Sequence, residues 1–141
     1  MRLVEKAYAI AMKEIGTTEL PGKAANAKIV AYHSACDSAF TSDEVAWCSA
    51  FANWCIQKAG GRGTKSAMAR SWLAWGVRIP KPHVGCLCVF ERGDDGISGH
   101  VGFYVGETDR QIKVLGGNQD NQVNLRFYHK SKLLAYRTSK D

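Results

Sequence analysis

Residues 43–61 read DEVAWCSAFANWCIQKAGG. The spacing predicts a helix from about Val45 to Ala59, with Gly60-Gly61 as its stop. Thr41 or Ser42 is placed to cap it. Asp43 and Glu44, in its first turn, suit the positive end of the helix dipole. Three further helical segments surround it. Residues 1–15 carry apolar Leu3, Val4, Ala7, Ala11 and Ile15 at helical period and stop at Gly16. A second pattern runs from about Ala24 to His33, and a short fourth from Ser66 to Trp75, ended by Gly76. Beyond that point the pattern changes. GCLCVFER (85–92), GHVGFYVGE (99–107), IKVLGGN (112–118), QVNLRFY (122–128) and LLAYRT (133–138) are short runs divided by Gly, Asp and Asn turns. They predict an antiparallel meander of about five strands. Helices first and strands after is an α+β arrangement, here one domain over residues 1–141 with no repeat and no linker.

Composition narrows the function classes. The chain has 141 residues, a formal net charge of +6 and a pI of about 9.2. Such a charge favours polyanions, including nucleic acid, anionic lipid and anionic wall polymers. The basic residues are dispersed, and no nucleic-acid motif accompanies them. No run is long enough to cross a bilayer. The N-terminal pattern is an amphipathic helix interrupted by Glu5, Lys6, Lys13 and Glu14, unlike the apolar core of a signal peptide. Five irregularly spaced cysteines make a poor disulfide framework. A reducing cytosol is therefore the expected place of synthesis.

Cys48 and Cys55 lie two turns apart in the opening stretch. A cysteine in the first turn of a helix meets free backbone N–H groups and the positive dipole end, which stabilise a thiolate. Cys48 holds that place, so it is the candidate nucleophile. Cys55 reads as a packed small residue. A base must accompany the thiol. Among four histidines, His33 ends a helical segment, His83 follows Pro82 and His129 lies in a basic stretch. His100 opens a strand. Alternation puts His100, Gly102 and Tyr104 on one face and Val101, Phe103 and Val105 on the other. A catalytic base and a structural histidine at a strand end both fit that position. Asn118, at the end of the next strand, is the candidate to orient the imidazole, with Gln119 and Asp120 as competitors. Cys86 and Cys88 lack a completing histidine pair for zinc. Asp37, Asp43 and Glu44 lack EF-hand spacing. No P-loop or dinucleotide fingerprint is present, and neither metal nor cofactor is expected.

The blocks VAWCSAFANWCIQKAGGRGTKSAMARSWLAWG (45–76), GHVGFYVG (99–106) and VLGGNQDNQVN (114–124), in this order, resemble the CHAP and NlpC-like cell-wall hydrolases of the papain-like superfamily. The likeness runs from about Ile15 to the last strand and is nearest to the small single-domain type of phage endolysins. It implies a papain-like fold, with Cys48 as nucleophile, His100 as base and Asn118 as orienting residue. It implies cleavage of a peptidoglycan amide, at the N-acetylmuramoyl-L-alanine bond or within the stem peptide or cross-bridge. Trp47, Tyr104 and Gln119 are candidate substrate contacts, and Trp72 and Trp75 further candidates for a cleft wall. The implied setting is a monomer without a wall-binding domain, made in the host cytoplasm and acting on the periplasmic wall after release. Its partner would be peptidoglycan, not nucleic acid or an inserted membrane. The same chemistry in a secretion-system toxin or tail-associated lysin, and a non-catalytic wall-binding module, are the alternatives. One departure from the family is visible: Gly85-Cys86 stands where many members have Gly-Asp.

Overall fold

The computed structural model describes residues 1–18, 27–36 and 47–141. Helices precede strands. α1 (Leu3–Lys13) buries Val4, Ala7 and Ala11 on one stripe. At its start the Glu5 carboxylate accepts the Arg2 backbone N–H at 3.0 Å, and Lys13 stands in its last turn, complementing the dipole at both ends. α2 (Ala27–His33) contributes Ile29 and Tyr32 to the core. α3 (Cys48–Lys58) is buried on nearly every side, from Cys48 to Asn53 and again at Cys55 and Ile56. Such an apolar circumference makes it the central helix. It packs on α1, α2 and the sheet.

The helix begins at Cys48, three residues later than the spacing predicts, with Trp47 as its N-cap and no side-chain cap. Thr41, Ser42, Asp43, Glu44, Val45 and Ala46 lie outside the described residues. The fourth helical segment is a 3-10 stretch over Ala69–Ala74, shorter than the pattern suggests.

Six antiparallel strands form one sheet: β1 (Val77–Ile79), β2 (Leu87–Glu91), β3 (Gly99–Glu107), β4 (Gln111–Gln119), β5 (Gln122–His129) and β6 (Leu133–Thr138). Their order is β1-β6-β2-β3-β4-β5. The meander holds for β2 to β5. β6 then returns to the far side of β2 instead of pairing with β5. β1, with three residues, is too short to show alternation and escapes the sequence pattern.

Both faces of the sheet are packed. Leu87, Val89, Val101, Phe103, Leu115 and Val123 meet the helices. On the other face Cys86, Cys88, Phe90, Tyr104, Ile112 and Val114 form a second apolar cluster. Phe90 on β2 stacks on Tyr128 of β5 at 5.0 Å between centroids, although two strands separate them. That contact requires the sheet to curl strongly, so its concave face encloses its own side chains. The face that carries His100 and Tyr104 is therefore buried as well.

Two polar residues one turn apart on α3 fix the loop that follows. The Ser49 hydroxyl donates to the Ser66 carbonyl at 2.6 Å and accepts the indole N–H of Trp72 at 2.9 Å. Asn53 accepts the Lys65 backbone N–H at 2.8 Å and donates to the Ser49 carbonyl at 3.0 Å. Buried polar groups of this kind are tolerated only when paired, and here the pairing sets the path of residues 63–69 past the start of α3.

Candidate active site

Cys48 is the first residue of α3, where backbone N–H groups have no intrahelical acceptor. Its thiol is 2 % exposed. The Val101 backbone N–H, next along the strand from His100, hydrogen-bonds the sulfur, as do the N–H groups of Ser49 and Cys48 itself. These donors and the nearby Arg92 charge favour the thiolate. Burial opposes them and is the largest influence, so the Cys48 pKa is raised. The helix start therefore does not make a resting thiolate; loss of hydration outweighs the dipole and the N–H groups. Cys55 is fully buried two turns on, and burial drives its thiol well above the ordinary value.

His100 is 1 % exposed and stands on the concave face of β3. Its Nε2 lies 2.9 Å from Gln119 Oε1. The Gln119 amide is fixed from its other side: Nε2 donates to the Asn124 carbonyl at 2.8 Å and to Asn124 Oδ1 at 2.9 Å. A reversed amide would face oxygen to oxygen, so Oε1 accepts and His100 carries its proton on Nε2. The lone pair is then on Nδ1, which is buried without a hydrogen-bond partner. Burial holds the imidazole pKa down to about 4, against the Gln119 hydrogen bond, which raises it; the Arg92 charge lowers it further. Tyr128 stacks on the ring at 4.7 Å and 21°. With Phe90 behind it, Tyr128 fixes the imidazole plane.

Gln119, not Asn118, takes the position beside His100. Continuing the β3–β4 register from Phe103↔Leu115 would set residue 118 opposite His100. The register shifts by one between Gly116 and Gln119, and Asn118 is left-handed with φ of 58°. This bulge inserts one residue and delivers Gln119 to the histidine face. The two glycines before it are needed for close approach. A Cβ on Gly116 would lie 2.7 Å from Gln119 Oε1 and 3.3 Å from His100 Nε2. A Cβ on Gly117 would lie 2.8 Å from Phe51 and from the Trp47 ring.

The aromatic candidates sit elsewhere. Trp47 is fully buried and stacks on Tyr32 in the main core. Trp72 is buried under Ser49, and the Trp75 indole N–H donates to the Arg62 carbonyl at 2.9 Å. Tyr104 belongs to the concave cluster and donates its hydroxyl to Glu107 at 2.8 Å. None of them lines the cavity of about 220 Å³ that opens on Cys48. That cavity is walled by Met68, Ala69, Arg92, Ile97 and Gly99. Arg92 ends the run GCLCVFER and Ile97 follows the turn at residues 93–96, and nothing in the residue pattern marks either as part of a site. Cys86 and Cys88 share a thiol hydrogen bond in the concave cluster. Among the described residues no three His, Cys, Asp or Glu side chains gather as metal ligands, and Asp37, Asp43 and Glu44 fall outside them. No described helix is long and apolar enough to cross a membrane.

A thiol at a helix start, a buried imidazole with one unpartnered nitrogen and an amide holding the other nitrogen are the group types that cysteine–histidine acyl transfer uses. No curated protein matches the chain. The CHAP domain family model matches residues 40–118, which span Cys48 and His100 and stop one residue short of Gln119. That match covers more than half of the sequence, and the chain belongs to the CHAP domain family, whose members are typically cysteine- and histidine-dependent amidases or peptidases.

Proposed function

We propose that this protein hydrolyses an amide bond of peptidoglycan, with Cys48 as nucleophile, His100 Nδ1 as base and Gln119 as the residue that orients the imidazole. The observation that carries this reading is the unpartnered, buried Nδ1 of a histidine whose Nε2 is held by Gln119. Both groups are neutral at rest: burial raises the Cys48 thiol and lowers the His100 imidazole. As the sulfur attacks the amide carbonyl, its proton passes to Nδ1, and the developing charges then stabilise each other. The backbone N–H of Cys48, at the helix start and turned to the sulfur at rest, is the donor for the oxyanion. The imidazolium protonates the leaving amine. Water, activated by the same nitrogen, releases the acyl group as a carboxylic acid and restores the thiol.

The resemblance of the chain to small endolysins supports a phage-encoded lysin as the setting, with release of the protein from the cytoplasm to the wall. The test is digestion of purified peptidoglycan followed by mass spectrometry of the products. Release of intact stem peptides identifies an amidase; cut stems or cross-links identify an endopeptidase. Cys48→Ala abolishes turnover in either case, and persistent digestion by that variant removes the nucleophile assignment.

A further inference from the structure

The cavity beside Cys48 contains a charge that the proposed chemistry leaves unused. Arg92 lines it together with Met68, Ile97, Ser98 and Gly99. Among the described residues no carboxylate pairs with Arg92 and no acceptor takes its guanidinium protons. Two acids of the same stretch are engaged elsewhere. Glu91 lies 3.7 Å from Lys132 Nζ. Asp95 accepts the Ile97 and Ser98 backbone N–H groups at 2.9 and 2.7 Å and the Ser98 hydroxyl at 2.6 Å. The turn that carries Arg92 is closed by its own N–H to the Ser98 carbonyl at 3.1 Å. Arg70 Nε donates to that same carbonyl at 2.9 Å. The guanidinium is thus held at the rim of the nucleophile's cavity by a braced turn, with all five donors open. The rest of the wall is apolar: Met68 is 48 % and Ile97 60 % exposed. Large apolar side chains and one unpaired cation around a small cavity fit a carboxylate carried on a peptide chain.

We propose that Arg92 is a specificity-determining residue that receives a substrate carboxylate beside the amide attacked by Cys48. The protein then prefers stem peptides with that carboxylate free over those in which it is amidated. This rests on the reading of Cys48 as the attacking residue. The charge has a second effect in the same direction, since it favours the Cys48 thiolate.

Two measurements test it, and the first does not depend on hydrolysis. Iodoacetate and iodoacetamide have nearly the same shape and differ in charge. Each forms a carbon–sulfur bond with Cys48 and releases iodide, and the thiol loses its proton to solvent. The ratio of their rates at Cys48, followed by peptide mass spectrometry, cancels any change in the thiolate fraction. Arg92→Gln lowers the iodoacetate-to-iodoacetamide ratio about tenfold, as expected for loss of a charge-assisted hydrogen bond, and Arg92→Lys retains most of it. A ratio unchanged within twofold overturns the proposal. So does reaction of Cys48 with iodoacetamide but not with iodoacetate, because the cavity then admits no carboxylate. The second measurement compares kcat/KM for two stem peptides that differ only in amidation of one carboxylate. The wild type prefers the free acid, and Arg92→Gln loses that preference mainly through KM; equal rates in the wild type overturn the proposal. If neither peptide is cut while the alkylation ratio responds to Arg92, the hydrolase reading fails and the anion subsite stands.

Discussion

His100 should make the fold acid-sensitive in a defined window. Its pKa is lowered from 6.5 to about 4, with burial as the first cause. A histidine that stays neutral in the folded state and protonates more readily when unfolded contributes stability above the unfolded value. That stability is lost as pH falls through 6.5 towards 4, because the unfolded chain takes up a proton that the folded one refuses. At 1.36 kcal/mol per unit, going from pH 7 to pH 4 removes about 3 kcal/mol. With a urea slope of about 2 kcal/mol/M, the unfolding midpoint moves down by roughly 1.5 M from this group alone. The assay is urea unfolding at pH 7, 6, 5 and 4 for the wild type and for His100→Gln, which cannot titrate. The variant is less stable at pH 7, having lost the stack on Tyr128, yet its decline towards pH 4 is shallower by about 3 kcal/mol. Parallel declines in the two proteins, or an imidazole resonance of His100 that titrates near 6.5, would refute the buried neutral base and with it the reading of Nδ1 as a resting proton acceptor.

Gln119→Leu removes the acceptor for His100 Nε2–H and lowers kcat on peptidoglycan roughly 10- to 100-fold, scaled from about 1–3 kcal/mol for a lost buried partner. Asn118→Gly suits the left-handed backbone at that position and leaves kcat within about twofold, by the small cost of glycine there; a loss equal to that of Gln119→Leu reverses the assignment. Gly117→Ala crowds Phe51 and Trp47 and lowers stability by about 1–3 kcal/mol, read as a fall in Tm. Cys55→Ala keeps most of the activity and loses about 1 kcal/mol of stability, checked by digestion and urea unfolding together.

The residue pattern shows the strands well where alternation and turns are both present. GHVGFYVGE matches β3 residue for residue. It shows Cys48 and His100 as candidates because a helix start and a strand start are local features. It cannot show the third residue of the site. Regular alternation selects Asn118, and the choice of Gln119 depends on one bulge whose signal is a left-handed Asn after two glycines. Nor can it show that β6 pairs with β2, since strand order is a long-range property. Two-sided burial is hidden for the same reason. Alternation assigns the apolar face to Val101, Phe103 and Val105 and does not show that curling of the sheet brings Tyr128 and Phe90 over the His100 face. Arg92 reads only as the end of a strand run and Ile97 only as a residue after a turn, and Ser49 and Asn53 only as polar positions in a helix.

Burial explains a further difference, and it bears on how such a site is kept safe. The local sequence predicts a reactive thiolate at a helix start. The folded chain shuts both Cys48 and His100 away from water, and loss of hydration penalises thiolate and imidazolium alike. A neutral pair is a poor nucleophile towards stray electrophiles and oxidants, which react with thiolates. The charged pair becomes favourable only when both charges arise together, so that each supplies the other with the stabilisation that water no longer gives. In that state the Val101, Ser49 and Cys48 N–H groups and the Arg92 charge all act on the sulfur in the same direction. Proton transfer is then tied to carbon–sulfur bond formation. The helix N-terminus contributes when charge develops, not while the thiol waits.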